Sequence, residues 1–279
     1  MKFAGMVCLY NPTKEMIKNV EKYIDALDKV YLIDNSNIDN SKIIPKNKKI
    51  IYMPNHDNLG IAKALNIGAE TAIKDGYKWL LTMDQDSKLT LDNLKKLEEF
   101  VENNNTKKVG IVSPYHNVET HEIKKDTDVE KMTYVMTSGN LLNLEIYKKI
   151  NGFKDWLFID LVDTEYCLNL NKNGYEVLRL NNVIMEHNLG DTKVYKFLSK
   201  KFICNNHNAI RRYYMVRNMY YLNDLYGNDY KEFCQFLKRV QKAQIRYIIL
   251  FEKDKINKLK MMYKGYKDYK NNKKGRIEL

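Results

Sequence analysis

Two aspartates separated by one glutamine follow a short apolar run in the stretch KWLLTMDQDSKLT, residues 78–90. Residues two apart on a strand point the same way, so Asp84 and Asp86 can converge on one site. Neighbouring carboxylates repel each other unless a cation or solvent offsets the repulsion. Aspartate oxygens are hard ligands suited to Mg²⁺ or Mn²⁺, which keep other positions for phosphate oxygens and water. The pair indicates a metal site, with two solvated turn residues as the alternative.

Polar residues also follow three other short apolar runs, in the stretches YNP (10–12), DNS (34–36) and NHDNLG (55–60). Ligands of an open parallel sheet bind outside the carboxyl ends of its strands. Carboxylates accept hydrogen bonds from base N–H groups and ribose hydroxyls, and asparagine can donate or accept. This rim of Asn, Asp and Gly therefore predicts a nucleoside site.

The elements that must position this rim follow from the spacing of apolar residues. Strands are predicted at 2–10, 30–36, 49–53, 77–83 and 108–114, and helices over 14–27, 58–76 and 91–104. This alternation is typical of an α/β protein with a mostly parallel sheet flanked by helices.

The rhythm changes after Pro114. Residues 116–131 predict a loop or weak hairpin, 132–143 a strand entering a turn at Ser138–Gly139, and 163–187 a helix stopped by Gly174 and then one or two strands. From 193 the pattern is helical and rich in Tyr and Lys, with 269–279 disordered in composition. We expect a catalytic domain over 1–192, divided into a nucleotide-binding half (1–113) and an acceptor and base half (114–192), and a helical appendage over 193–279.

Charge divides the chain in the same way. Residues 193–279 carry 22 Lys and Arg against 7 Asp and Glu, whereas residues 1–192 carry 25 against 28. The basic appendage predicts contact with an anionic membrane surface or between subunits, and the near-neutral front argues against nucleic acid. Four scattered cysteines favour reduced thiols in a cytoplasmic protein, here expected at the inner face of the cell membrane. No apolar run is long enough to span a bilayer.

Eight motifs occur in an order that resembles one family: VCLYNP, LIDNS, NLGIAKALNIG, LLTMDQDS, SGNLLN, FIDLVDTEYCLNLNKNGYEV, EHNLG and RRYYMVRN. They cover roughly residues 3–218. The chain resembles family 2 inverting glycosyltransferases with the GT-A fold, and in particular rhamnosyltransferases that build bacterial surface polysaccharides.

The resemblance implies a role for each residue of the rim. The nucleotide-sugar donor would be bound by nine residues: Tyr10, Asn11, Pro12, Asp34, Asn58, Gly60, Lys63, Asp84 and Gln85. Asp86, with Asp84 and His187, would hold the metal that bridges the diphosphate. His187 follows an apolar stretch, so a structural histidine remains the alternative.

The resemblance also places a catalytic base at Asp163. Inverting transfer needs one carboxylate to remove a proton from the attacking hydroxyl. By position alone Asp163 could be a first-turn acid that serves a helix dipole, and Asp160 is a rival base. Val162 and Asn169 depart from the family pattern, which often has a glutamate and an arginine there.

Further residues are predicted to contact the acceptor or a phosphate. They are Ser138, Gly139, Asp160, Arg211, Tyr214, Arg217 and Asn218. Arginine makes bidentate phosphate contacts, although Tyr213, Val216 and Tyr220 of the same stretch could instead form a core stripe.

These inferences predict an Mg²⁺- or Mn²⁺-dependent transferase in surface polysaccharide synthesis. It would move L-rhamnose from dTDP-rhamnose onto a lipid-linked or oligosaccharide acceptor, with UDP-hexose or UDP-galactofuranose as alternative donors. A sugar-nucleotide pyrophosphorylase ranks lower, because YNPTKEM after the first strand lacks a glycine-rich phosphate loop. A non-catalytic basic membrane-binding module is the remaining alternative.

Overall fold

The chain divides into two compact units in its computed structural model, which describes residues 1–117, 127–186, 192–197 and 200–278, without the side chains of 186–205. The first unit comprises Met1–Asp155 and Asp163–Asn188, and the second comprises Trp156–Val162 and Leu189–Leu279. The second unit therefore includes residues 156–162, a segment that the sequence pattern assigned to the catalytic body.

The first unit is built on an eight-stranded sheet in the order β3-β2-β1-β4-β7-β5-β8-β6. Its strands are β1 (Phe3–Leu9), β2 (Lys29–Asp34), β3 (Ile50–Pro54), β4 (Trp79–Asp84), β5 (Val109–Asn117), β6 (Val129–Lys131), β7 (Asn140–Asn143) and β8 (Glu176–Glu186). The first four strands are parallel, and β7 runs antiparallel to both β4 and β5. The five strands predicted before residue 114 are confirmed.

Helices connect these strands: α1 (Lys14–Glu21), α2 (Ile61–Lys74), α3 (Leu91–Asn103), α4 (Leu144–Lys149) and α5 (Val162–Lys172). Thr13 and Thr90 cap α1 and α3 by accepting a backbone N–H, as N-cap hydroxyls do. The helix predicted over 14–27 is shorter, because a separate 3₁₀ turn forms at Ile24–Ala26. Leu81, Met83, Leu94 and Leu97 belong to the buried core of this unit.

Two expectations for residues 114–143 need correction. Strand β5 continues through Pro114 to Asn117, with a register shift against β8 at Pro114/Tyr115, where a missing N–H costs little. The strand predicted to run into a turn at Ser138–Gly139 does not form before that turn. The strand β7 follows the turn, at Asn140–Asn143, after left-handed Gly139 with φ 83°.

The C-terminal part of the second unit contains a two-stranded antiparallel hairpin of β9 (Thr192–Phe197) and β10 (Lys200–Asn205). The expectation that the chain is helical from 193 is wrong for this hairpin. Three helices follow: α6 (Ala209–Tyr226), α7 (Lys231–Leu250) and α8 (Lys255–Lys270). Helices α6 and α8 approach closely at Gly265, where a Cβ would lie 2.5 Å from the carbonyl oxygen of Tyr213.

Residues 271–278 make specific hydrogen bonds, contrary to the disorder that their composition predicted. The N–H of Ile277 donates to the Tyr214 hydroxyl at 2.8 Å, and the Tyr221 hydroxyl donates to the carbonyl of Lys273 at 3.0 Å. Buried partners on α6 thus supply the hydrogen bonds that the tail's own sequence lacks. In the described residues, none of the helices is both long and apolar enough to cross a membrane.

Candidate active site

The predicted donor site lies at the carboxyl ends of β1, β2 and β4. The sheet register pairs Cys8 with Asp84 and Leu9 with Asp34, which places both aspartates beside the end of β1. Strand order reverses at β1, since β2 lies on one side and β4 on the other. Such a reversal opens the crevice in which α/β sheets bind ligands.

Asp34 is fully buried and organises the loop after β2. Its Oδ1 accepts the Ser36 N–H at 2.9 Å and hydroxyl at 2.5 Å, and its Oδ2 accepts Asn40 Nδ2 at 2.9 Å and the Tyr52 hydroxyl at 2.8 Å. Burial favours the neutral acid, but these four donors outweigh it and hold the pKa of Asp34 below its usual range. The Asn11 N–H donates to Ser36 Oγ at 2.7 Å and so joins this network to the end of β1.

Gln85 joins the end of β1 to the turn after β4. Its Oε1 accepts the Tyr10 N–H at 2.9 Å, and its Nε2 donates to the Tyr10 carbonyl at 3.1 Å. The side chain of Gln85, predicted to bind the donor, is thus used on the backbone, whereas the Tyr10 ring beside it is half exposed. Buried Asn19 donates to the Gln85 carbonyl at 3.4 Å, a support that sequence reasoning missed.

The predicted acidic pair lies across the end of β4. The strand ends at Asp84, and Asp86 lies in the following turn, which the Ser87 N–H closes onto the Asp84 carbonyl at 3.2 Å. Strand alternation therefore does not govern the relative direction of the two side chains. Asp84 is partly exposed and Asp86 is exposed. Together with burial, the charges of Asp84 and Asp34 raise the pKa of the Cys8 thiol to about 12.

A divalent metal is compatible with this donor set. In the part of the chain that the structure describes, His, Cys, Asp and Glu form no cluster of three that could enclose a metal ion. Two accessible carboxylates suit a hard cation that takes its remaining ligands from water and phosphate oxygens. His187 lies outside the described residues.

Ser138 and Gly139 lie against the end of β4 and position it. Ser138 Oγ accepts the Asp84 N–H at 3.0 Å, and the Gly139 N–H donates to the Thr82 carbonyl at 2.7 Å. Gly139 has a left-handed backbone, and a Cβ there would lie 2.9 Å from Pro114 Cγ, so the position favours glycine.

Asn58, Gly60 and Lys63 lie at the start of α2. Asn58 Oδ1 accepts the Gly60 N–H at 3.0 Å, and Gly60, with φ 83°, leads into the helix. The Lys63 ammonium forms a half-exposed ion pair with Asp155 at 3.0 Å, and this bond raises the pKa of Lys63. Asn66, one turn later, is buried and donates to the Phe153 carbonyl, which fixes the segment that carries Asp155. In the sequence, Asn66 is recognisable as a polar residue on the otherwise apolar face of α2.

Asp163, the predicted base, lies in the first turn of α5. Its Oδ1 accepts the N–H of Thr164 at 2.7 Å. Burial raises the pKa of Tyr134, and the charge of Asp163 raises it further. Asp163 lines a small cavity with Thr82, Ile111, Val135, Thr137, Asn140, Leu142, Phe153, Tyr166 and Cys167. Tyr166 Oη and Asn140 Oδ1, both among these residues, lack a hydrogen-bond partner in the described structure.

The two departures from the family pattern have structural roles. Val162 is a buried core residue. Asn169 donates to the Ile150 carbonyl at 3.2 Å and so ties α5 to the end of α4.

In the second unit, Arg217 and Asn218 hold residues 156–161, which we call the clamped loop. Both side chains are fully buried. The Arg217 guanidinium donates to the carbonyls of Trp156 at 3.0 Å, Leu157 at 3.1 Å and Gly275 at 2.6 Å. The geometry favours a loop-positioning role over the phosphate contact that the motif suggested.

Asn218 completes this clamp. Its Nδ2 donates to the carbonyls of Leu157 at 3.0 Å, Ile159 at 2.8 Å and Asp160 at 2.9 Å. Phe158, Asp160 and Leu161 all have left-handed backbone, with φ between 62° and 67°. Non-glycine residues persist in this conformation only where surrounding contacts impose it.

Asp160 is the rival base, and it is almost entirely buried. Its Oδ1 accepts Arg211 Nε at 2.9 Å, and its Oδ2 has no partner among the described residues. Burial raises the pKa of Asp160, against the opposing charges of Arg211 and Arg212. Tyr214 stacks on Phe158 with ring centroids 5.1 Å apart, so it too supports the clamped loop.

Comparison with known proteins identifies the family. The model of the family described as Glycosyl transferase family 2 matches residues 6–162, which include the donor-site rim and the clamped loop. The chain belongs to glycosyl transferase family 2. It is therefore a glycosyltransferase, as the motifs predicted.

One curated relative of this glycosyltransferase is the dTDP-rhamnosyl transferase RfbF of Shigella flexneri. The two are 29% identical over 238 residues, with 78% of each chain covered.

Solved structures bear out the GT-A type of fold. The complex of S. aureus TarS 1–349 with UDP-GlcNAc matches with TM-score 0.58 and 13% identity, over 96% of this chain and 80% of that one. GalNAc-T7, solved with UDP, GalNAc and Mn²⁺, matches with TM-score 0.55 and 14% identity, over 71% of this chain. The match spans only 44% of the GalNAc-T7 chain.

Proposed function

We propose that this glycosyltransferase transfers L-rhamnose from dTDP-rhamnose, with inversion, to a lipid-linked or oligosaccharide acceptor in surface polysaccharide synthesis. The observation that carries the proposal is the similarity to RfbF across 78% of both chains, since RfbF is a dTDP-rhamnosyl transferase. The buried network around Asp34 supports it, because it fixes the loops on either side of the crevice where a nucleotide would bind.

The donor would lie across the ends of β1, β2 and β4. The exposed ring of Tyr10 offers a stacking surface for the base. Lys63 can exchange its half-exposed partner Asp155 for a donor phosphate. Asp86 and Asp84 would hold Mg²⁺ or Mn²⁺, and such an ion stabilises the negative charge of a leaving nucleoside diphosphate.

Asp163 would remove the proton from the acceptor hydroxyl. Asp163 is only partly buried at the start of α5, where the positive end of the helix dipole favours the carboxylate that a base requires. Asp160 is the weaker candidate, because its carboxyl is enclosed and already pairs with Arg211. We assign Asp160 to positioning of the clamped loop.

The basic helices would hold the enzyme at the inner face of the membrane, where a lipid-linked acceptor is presented. The excess of 15 positive charges in residues 193–279 supports this placement, because anionic headgroups attract clustered Lys and Arg.

A donor panel tests this function. Hydrolysis and transfer are measured with dTDP-rhamnose, UDP-glucose, UDP-galactofuranose and UDP-GlcNAc, each with and without Mn²⁺. We expect turnover of dTDP-rhamnose above all others. Selective turnover of a UDP-sugar would overturn the donor assignment.

The base assignment has its own test. Asp163→Asn should reduce turnover by about 10²–10⁴-fold, the range for loss of a general base. Asp92→Asn, which changes an exposed first-turn acid of α3, is the matched control and should leave turnover unchanged. Near-normal turnover in Asp163→Asn would show that another carboxylate is the general base.

A further inference from the structure

The junction of α7 and α8 presents unusually exposed apolar side chains. Ile249 is 50% exposed, Leu250 64% and Ile256 72%. All three lie within eight residues of the chain, at the end of one helix and the start of the next. We call these three side chains the apolar corner. Exposed apolar residues that gather at one place mark an interaction site more often than isolated ones do.

The corner is held rigidly from beneath. Glu252, between Leu250 and Ile256, is buried and accepts Arg212 Nη2 at 2.6 Å and Lys258 Nζ at 2.8 Å. Lys258 also donates to Asn206 Oδ1 at 2.7 Å. Buried ions are costly to separate, so this network fixes the backbone of the turn. The apolar side chains are therefore presented by a fixed scaffold, which lowers the entropy cost of binding.

Positive charge flanks the corner along the chain. Between residues 239 and 260 the exposed charged side chains are Arg239, Lys242, Arg246, Lys253, Asp254, Lys255 and Lys260. Six are cations and one is an anion. The one acid, Asp254, accepts Asn257 Nδ2 at 3.0 Å.

The same pattern continues along the exposed side of α8. Ile256, Lys260, Tyr263, Lys267 and Lys270 are all exposed and recur at spacings of three and four residues, so they form one stripe. Tyr263 is 68% exposed. Apolar and aromatic groups amid lysines are the composition of helices that lie in a membrane interface.

From this arrangement we propose that the apolar corner inserts into the headgroup region of an anionic phospholipid bilayer while the surrounding lysines bind its phosphates. The proposal deepens the membrane placement given above, on which it rests, by naming the surface responsible. A second copy of this chain is a poorer occupant, because two such cationic surfaces would repel each other. Insertion also differs from charge attraction alone, since apolar contact persists when salt screens the charges.

Vesicle flotation of the full chain tests the apolar part. Leu250→Ser with Ile256→Ser should reduce binding to vesicles of phosphatidylglycerol and phosphatidylcholine by at least about tenfold, because two exposed side chains lose their apolar burial. The matched control is Ile210→Ser with Leu225→Ser, which makes the same changes at half-exposed positions of α6. It should float like wild type. Unchanged flotation of the corner variant would overturn the proposal.

A second pair of variants tests the charges. Lys253→Glu with Lys260→Glu should reduce binding by more than about tenfold at low salt, whereas Lys46→Glu with Lys48→Glu, exposed in the first unit, should not. Raising the salt should leave a fraction bound that the corner variant lacks. Complete release of wild type by salt would overturn insertion, and equal binding to pure phosphatidylcholine would overturn the role given to the lysines and the anionic headgroups.

Tryptophan fluorescence reports insertion directly. Leu250→Trp should shift its emission to the blue when anionic vesicles are added, and Leu225→Trp should not. The two native tryptophans are a common background. A shift on self-association without vesicles would assign the corner to a second copy and overturn the proposal.

Donor hydrolysis separates this proposal from the function on which it rests. The corner variants should hydrolyse dTDP-rhamnose in solution like wild type. If flotation depends on the apolar corner but no donor is hydrolysed, the proposed transferase function is refuted and the membrane-binding surface is supported. Donor turnover with flotation independent of the corner would refute the surface alone.

Discussion

The loops around Asp34 and the clamped loop around Arg217 are both fixed by buried polar side chains, through an acceptor in the first case and through donors in the second. In the first unit a buried carboxylate accepts four hydrogen bonds and so gathers donors from the loops. In the second unit a buried guanidinium and a buried amide donate to a run of backbone carbonyls. Both arrangements fix irregular backbone, and both use residues that the motifs suggested would touch substrate. A motif residue at a glycosyltransferase site can therefore act by positioning a loop.

The largest expected effect comes from removing the cation of the clamped loop. Arg217→Ala should lower the free energy of unfolding by about 3–5 kcal/mol, because it removes three hydrogen bonds made by a buried charged group and leaves the carbonyls of Trp156 and Gly275 without this donor. Arg217→Lys should recover only part, since an ammonium lacks the planar fork. Urea denaturation measures both. Arg239→Ala on exposed α7 is the control, expected within about 0.5 kcal/mol of wild type. A wild-type midpoint for Arg217→Ala would contradict the clamp.

Removing the anion of the rim should have a smaller effect that depends on pH. Asp34→Asn should cost about 1–3 kcal/mol at pH 7, since a charged acceptor of four bonds is lost. The folded pKa of Asp34 lies below its unfolded value of about 3.9. Its stabilisation is therefore present above that value and is lost as pH falls through the folded pKa. The variant should have a flatter acid limb in denaturation as pH falls below about 4, and exposed Asp25→Asn should not.

Asp160, the buried carboxylate of the clamped loop, should affect stability with the opposite pH dependence. Burial raises the folded pKa of Asp160, so its contribution is present below the unfolded pKa and is lost as pH rises through the folded pKa. Asp160→Asn should unfold at the wild-type denaturant midpoint near pH 4, and at an equal or higher midpoint at pH 7. A large loss of stability at pH 7 would mean that the bond to Arg211 outweighs burial.

The smallest change in stability is expected at Lys63. Its ion pair with Asp155 is half exposed, so Lys63→Met should change the free energy of unfolding by less than about 1 kcal/mol. A donor-binding role predicts instead an increase of about tenfold in the KM for the nucleotide sugar. Lys74→Met, at the exposed end of the same helix, should change neither. An unchanged KM would remove Lys63 from the donor site.

Much of the first unit could be predicted because its signals are local. Strands of five to nine residues, β1 to β5, alternate with amphipathic helices, and parallel strands bring their carboxyl ends to one edge. Tyr10, Asp34 and Asp84 could therefore be placed at one edge of the sheet from the sequence alone. The order of the C-terminal tail could not be predicted, since its hydrogen-bond partners on α6 are distant in sequence. The hairpin of β9 and β10 is a local pairing that the helical interpretation of residues 193–279 missed.

The sequence by itself determined the family, the α/β order of the first unit, the acidic rim and the basic character of the C-terminal region. Only the tertiary structure decided which polar side chains form their hydrogen bonds within the protein itself. Gln85, Arg217 and Asn218 have the same hydrogen-bonding chemistry whether they meet a ligand or a backbone carbonyl. The choice depends on burial and on strained loops such as 158–161, and these exist only once distant segments pack.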